Sequence, residues 1–120
     1  MKKIIFFASL IFSIGIHAQS VSCKDLMDYV TSKGYNFQGV NSYELYESSW
    51  LNSVKAYKLE GRIAIIAEIK RKGEYFSKKY VFCGISQSSW DAFYMGTYDI
   101  NKSYGERFHK YIFNSQCNCY

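Results

Sequence analysis

Residues 50–84, WLNSVKAYKLEGRIAIIAEIKRKGEYFSKKYVFCG, decide the fold. Within them Arg62 to Lys70 alternates cleanly, with Ile63, Ile65, Ala67 and Ile69 on one face and Ile66, Glu68 and Lys70 on the other. That two-residue period is the signature of a strand. Upstream, Trp50 to Leu59 alternates more loosely through Val54, Ala56, Tyr57 and Leu59, and Glu60-Gly61 supplies a tight turn. Downstream, Lys72-Gly73-Glu74 makes a second turn before a third strand, Tyr75 to Gly84. This strand sets Phe76, Tyr80 and Phe82 on one face and Tyr75, Val81 and Cys83 on the other. Consecutive strands joined by short turns predict an antiparallel meander.

Outside this stretch the period becomes helical. Ser22 to Gly34 reads as a helix, with Ser22 as cap, Asp25 in the first turn and an apolar stripe of Leu26, Met27, Tyr29 and Val30. Tyr35 to Ser49 is rich in Asn, Gly and Ser around Tyr43, Leu45 and Tyr46, a loop with a short strand. After Ile85, Ser88 or Ser89 caps a short helix carrying Trp90, Phe93 and Tyr94 and ending near Gly96. Asp99 or Asn101 starts another, with Ile100, Tyr104, Phe108, Tyr111 and Ile112 as its stripe and Glu106, Arg107 and Lys110 opposite. The expected class is α+β: an antiparallel β-meander of three to four strands with an N-terminal helix and C-terminal helices packed on one face.

The N-terminus reads as a secretory leader over residues 1–18. Met1-Lys2-Lys3 is its positive start, Ile4 to Ile16 its apolar run, and Ala18 the small residue before cleavage. The run is too short to span a membrane. Lipid anchoring at Cys23 is disfavoured, because Ser20-Val21-Ser22 is a poor small-residue box. The expected localisation is therefore export, periplasmic or secreted, with no transmembrane segment after processing. Segment 19–47 then holds the first helix and its connection, and 48–120 the sheet, the later helices and a cysteine-containing tail.

Cleavage would lower the formal charge from +5 to +3, too mild to imply nucleic-acid binding by itself. It would also leave His109 as the one histidine in 102 residues. Three phenylalanines leave with the leader, yet 20 aromatics stay, so the aromatic excess belongs to the fold.

Four cysteines, Cys23, Cys83, Cys117 and Cys119, remain after cleavage, and in an exported chain an even number reads as disulfides. A Cys117–Cys119 ring would be very tight, so each tail cysteine pairs with Cys23 or Cys83. A bond from Cys23 to the tail would contribute about 4 kcal/mol by loop entropy. A zinc site from Cys83, His109, Cys117 and Cys119 is the competing idea. C-x-C spacing and an oxidising compartment both oppose it, so no metal and no cofactor is expected.

Ser48 to Ile112 resembles the KTSC domain, a short module found at the end of some lysyl-tRNA synthetases. The points of resemblance run in order: Ser49 to Tyr57, Ile63 to Ile69, Tyr80-Val81-Phe82, Gly84-Ile85, Trp90-Asp91-Ala92-Phe93, and Ser103-x-Gly105-x-Arg107-Phe108-His109. Phe82 stands where the family has a second tyrosine, His109 where it has asparagine, and the N-terminal helix and cysteines are additions. The resemblance implies no activity. RNA binding has been suggested for the family.

Candidate binding residues follow. Phe76, Tyr80 and Phe82, beside Lys70, Arg71, Lys72, Lys78 and Lys79, have the makings of a base-stacking face with a basic rim. The opposing reading makes those rings core, since a sheet must bury one apolar face, and this is the favoured one. The basic hairpin tip stays the best site for an anionic ligand. Ser103, Gly105, Arg107 and His109 complete the set, with Gly105 marking close packing or a ligand's approach. No nucleophile or carboxylate can be assigned to His109 from spacing, and no phosphate loop, EF-hand or H-E-x-x-H occurs. The leading expectation is a small exported, non-enzymatic binding module for an unknown protein or envelope component. A nucleic-acid-binding module and a hydrolase using His109 are the alternatives.

Overall fold

A computed structural model describes residues 21–120. The leader expectation for residues 1–18 lies outside the described residues. The elements run α1 (Cys23–Lys33), β1 (Tyr35–Val40), β2 (Leu51–Leu59), β3 (Arg62–Ile69), β4 (Lys78–Ile85), α2 (Gln87–Met95), α3 (Tyr104–Tyr111) and a 3₁₀ turn, Phe113–Ser115. The sheet is fully antiparallel in the order β1-β2-β3-β4, the expected meander with a fourth strand at its start. The chain is thus α+β, as its periodicity implied.

The β2–β3 hairpin turns at Glu60-Gly61, both with positive φ (54° and 76°), the geometry that matches the right-handed twist of the flanking strands. The short strand expected within 35–49 is Tyr35–Val40, and the Tyr43–Tyr46 region is turn. Its alternation is hidden because a register shift between Asn36 and Gln38 breaks the period.

Both faces of the sheet are covered, not one. On the first face Ile63, Ile65, Ala67 and Ile69 pack with Phe82, with Trp90 and Phe93 of α2, and with Phe108 and Ile112 around α3. Phe108 stands edge-on to Phe82 at 5.3 Å and to Phe93 at 5.7 Å, so large rings fill a small core. Each such ring contributes about 1.5–3 kcal/mol by burial. On the second face α1 sets Leu26 and Val30 against Tyr57, Ala64, Ile66 and Val81. A strand buried on both sides is the reason β3 is apolar at almost every position.

The helix ends correct two assignments. α2 is capped by Ser86, whose hydroxyl accepts from the Ser89 N–H, rather than by Ser88 or Ser89. It stops at Gly96, whose φ of +67° suits glycine and whose added Cβ would meet the Arg107 guanidinium at 2.8 Å. α3 starts at a capping box, Ser103 with Glu106, not at Asp99 or Asn101. Ile100 consequently sits in the preceding turn, 82% exposed, and Arg107 turns inward, 8% exposed.

The tail is tied down twice. Cys23 bonds to Cys119 and Cys83 to Cys117, which resolves the pairing left open by the sequence. Cys117 N–H donates to the Val81 carbonyl at 3.0 Å, and Gln116 bridges Phe82, so the tail runs along the outer edge of β4. Residues 21–23 are joined to the same tail: Tyr120 N–H donates to the Val21 carbonyl and Cys23 N–H to the Tyr120 carbonyl. An edge that would otherwise offer free backbone groups is thereby partly closed.

Candidate functional site

The site grows from the β3–β4 connection. β4 begins at Lys78 rather than Tyr75, so the expected tight turn is an eight-residue loop, 70–77. Glu74 organises it. Its carboxylate accepts from the Arg71 N–H at 3.1 Å and pairs with Lys78 at 3.2 Å, while the Glu74 N–H donates to the Arg71 carbonyl. The Arg71 N–H and then Lys78 hold the Glu74 carboxyl below the usual range. Arg71 is fixed as well, its guanidinium 4.5 Å from the Tyr80 ring centroid and donating to Gln116 Oε1 at 3.2 Å. Lys70 and Lys72 are exposed, and among the described residues neither has an ion-pair partner.

Opposite this loop stands a wall of rings. Lys70 N–H donates to the Trp50 carbonyl at 2.8 Å, extending the β2–β3 register and setting Trp50 beside the loop. From α3, exposed His109 stacks on Phe113 at 4.6 Å with planes 10° apart, and Trp50 meets both edge-on near 6 Å. Between wall and loop lies an open cleft of about 680 Å³, lined by Trp50, Lys70, Arg71, Lys72, His109 and Phe113 among others. Its chemistry is cationic and aromatic. Such a surface attracts anions and offers ring faces and edges for stacking or apolar contact.

The structure therefore joins two groups that the sequence presented separately, the Lys70-Arg71-Lys72 tip and His109. It takes others out. Phe82 is core at 1% exposure, and Tyr80 is half-buried beneath Arg71, so the proposed Phe76–Tyr80–Phe82 stacking face does not form. Phe76 is not on the strand at all but projects from the loop at 80% exposure. Gly105 is buried against the Trp50 ring, where an added Cβ would lie 3.3 Å from Nε1, which accounts for the glycine by packing. Ser103 caps α3, and Arg107 donates to the Phe93 and Lys102 carbonyls at 2.8 and 2.7 Å. Both serve the α2–α3 connection, not the cleft. The zinc alternative lacks its thiolates, since all four cysteines are in disulfides.

Trp50 and Phe113 were not singled out as site residues beforehand. Phe113 had a readable signal, following His109 by one helical turn; for Trp50 the register counted from Glu60-Gly61 gives Arg71 as partner, and the shift between Leu51 and Ser53 moves it beside Lys70.

No protein-family model, curated protein or solved structure matches the chain. Among the described residues no helix is long and apolar enough to cross a membrane.

Proposed function

We propose that the chain is a small exported, non-enzymatic binding module that takes an anionic protein or envelope component at the Trp50–Lys72–His109 cleft. The observation that carries this reading is the convergence of charge and rings. Residues 70–74 hold three cations and one acid, and they line a cleft walled by Trp50, His109 and Phe113. Two disulfides support export, because such bonds persist in oxidising compartments. His109 supports a binding role over hydrolysis, since its partners among the described residues are the rings of Trp50 and Phe113. A KTSC relationship for 48–112 belongs to the same proposal. Its motifs fall one after another on β2, β3, β4, α2 and α3. The burial of Phe82 weighs against the nucleic-acid alternative.

The test is site-specific photocrosslinking in the producing cell's envelope, with the crosslinker at position 72 and a control at Lys33 on α1. A discrete product at 72 alone, lost when K70E is added to a chain that still folds, is expected. Equal labelling at both positions, or none at 72, sinks the reading.

A further inference from the structure

We propose that loop 70–77, with the lysines that open β4, docks on an anionic phospholipid bilayer and inserts Tyr75 and Phe76 into its interface. This rests on the binding-module reading and names the envelope component it meets. The starting point is a pair of rings with no role in the fold. Tyr75 and Phe76 are 88% and 80% exposed, and they lie 5.7 Å apart, tilted against each other. Every other loop side chain is charged or small: Lys70, Arg71, Lys72, Glu74, Ser77, with Gly73 between.

The loop's base is held while its tip projects. Arg71 is clamped by Tyr80 and Gln116, Glu74 by Arg71 and Lys78, and Ser77 Oγ donates to Glu68 at 3.1 Å. Two rings on a protruding tip cannot supply the roughly 800 Å² per partner that a stable protein interface buries. They do suit the headgroup level of a bilayer, where aromatic residues concentrate because one end is apolar and the other wet. The surrounding charge completes the match. Lys70, Lys72, Lys78 and Lys79 are all exposed, and among the described residues Lys78 alone of the four is spent on an ion pair. Long lysine stems can lie along the interface with their ammonium groups among lipid phosphates. Each such lysine strengthens binding to an anionic surface about fivefold, and the gain fades with salt. In this pose the cleft beside the loop opens onto the headgroups, so Lys70 and Lys72 meet phosphate while the rings go deeper.

The experiment is co-sedimentation of the oxidised, folded chain with vesicles of phosphatidylcholine, with and without one-third phosphatidylglycerol, at low salt. Binding to the anionic vesicles only is expected. It should fall by roughly two orders of magnitude in K70A/K72A/K79A, at about fivefold per lysine, and clearly in Y75S/F76S. All these side chains are exposed, so the melting temperatures should match wild type. In an F76W variant the emission, after subtraction of the wild-type spectrum, should shift to shorter wavelength on adding anionic vesicles. No sedimentation with anionic vesicles, or sedimentation unaffected by Y75S/F76S with no shift in F76W, overturns the proposal. If position 72 then still crosslinks a protein, the binding-module reading stands and only the lipid assignment falls.

Discussion

Arg107 Nε donates to the Phe93 carbonyl at 2.8 Å, inside the protein, and thereby joins α3 to the last turn of α2. The same guanidinium donates through Nη1 to the Lys102 carbonyl and stacks over the Tyr104 ring at 4.5 Å. One buried cation thus satisfies carbonyls at both ends of the 96–102 connection, where the chain turns from one helix into the next.

Arg107→Ala should therefore lose about 2–4 kcal/mol of stability, since hydrogen bonds from a charged donor are worth roughly 1.5–3 kcal/mol and the freed carbonyls stay partly buried. Arg107→Lys should recover only part, because an ammonium lacks the planar fork that reaches both carbonyls. Urea denaturation measures this. A loss within 0.5 kcal/mol of wild type, as for an ordinary surface substitution, contradicts the assignment.

The same connection has a pH dependence. Asp99 is 9% exposed and accepts from the Tyr111 hydroxyl and from Lys110 Nζ. Those two bonds, the tyrosine's first, hold its carboxyl below the ordinary aspartate value. A depressed carboxylate adds stability above the unfolded-state value near 4, and loses it as pH falls through the folded value. Thermal melting should thus decline on acidification from about pH 4 downward, and less steeply in Asp99→Asn. Glu106, lowered by the Ser103 backbone and side chain of the capping box, contributes in the same direction and keeps the variant's slope from vanishing. Parallel slopes for wild type and Asp99→Asn would remove Asp99 from this account.

Gly105→Leu should destabilise the fold by about 1–3 kcal/mol, the usual range for overpacking, because the new side chain drives into the Trp50 ring. The increment should shrink in a Trp50→Phe background. A double-mutant cycle reads the coupling directly, and a coupling near zero means that Trp50 is not what Gly105 accommodates.

Replacing either disulfide by serine pairs should cost about 4–5 kcal/mol by loop entropy, the larger loss falling on Cys23–Cys119, whose sequence separation is 96 against 34. Melting temperature with and without reductant is the simplest check. Unchanged melting in a fully reduced sample would show that packing alone holds the tail.

Where side chains alternated without interruption, the fold was readable from residues alone. β3 and the Glu60-Gly61 turn emerge from period and turn chemistry, β2 from a looser alternation broken by the shift between Leu51 and Ser53, and α1 from its cap and stripe. The misreadings share one cause, a phase carried past the point where the backbone changes. Counting back from Tyr80 in steps of two puts Phe76 on the strand, but the count runs through residues that are loop. A helix start two to four residues early puts Ile100 in the stripe and Arg107 opposite it, although Ser103 and Glu106 already spell a capping box. The second buried face escaped because Ala64 and Ile66 reveal a covering helix only when α1's partner is known. The cleft was half legible: the basic tip is local in sequence, whereas its meeting with His109 depends on how α3 lies across the sheet.

The Cys23–Cys119 bond also fixes how the molecule bears a pull. Load applied beyond these two positions passes through one covalent link and bypasses the sheet and both cores. The chain between them is mechanically sheltered until a reductant cuts the link. Oxidation thus acts here as a strain relief as much as a source of stability.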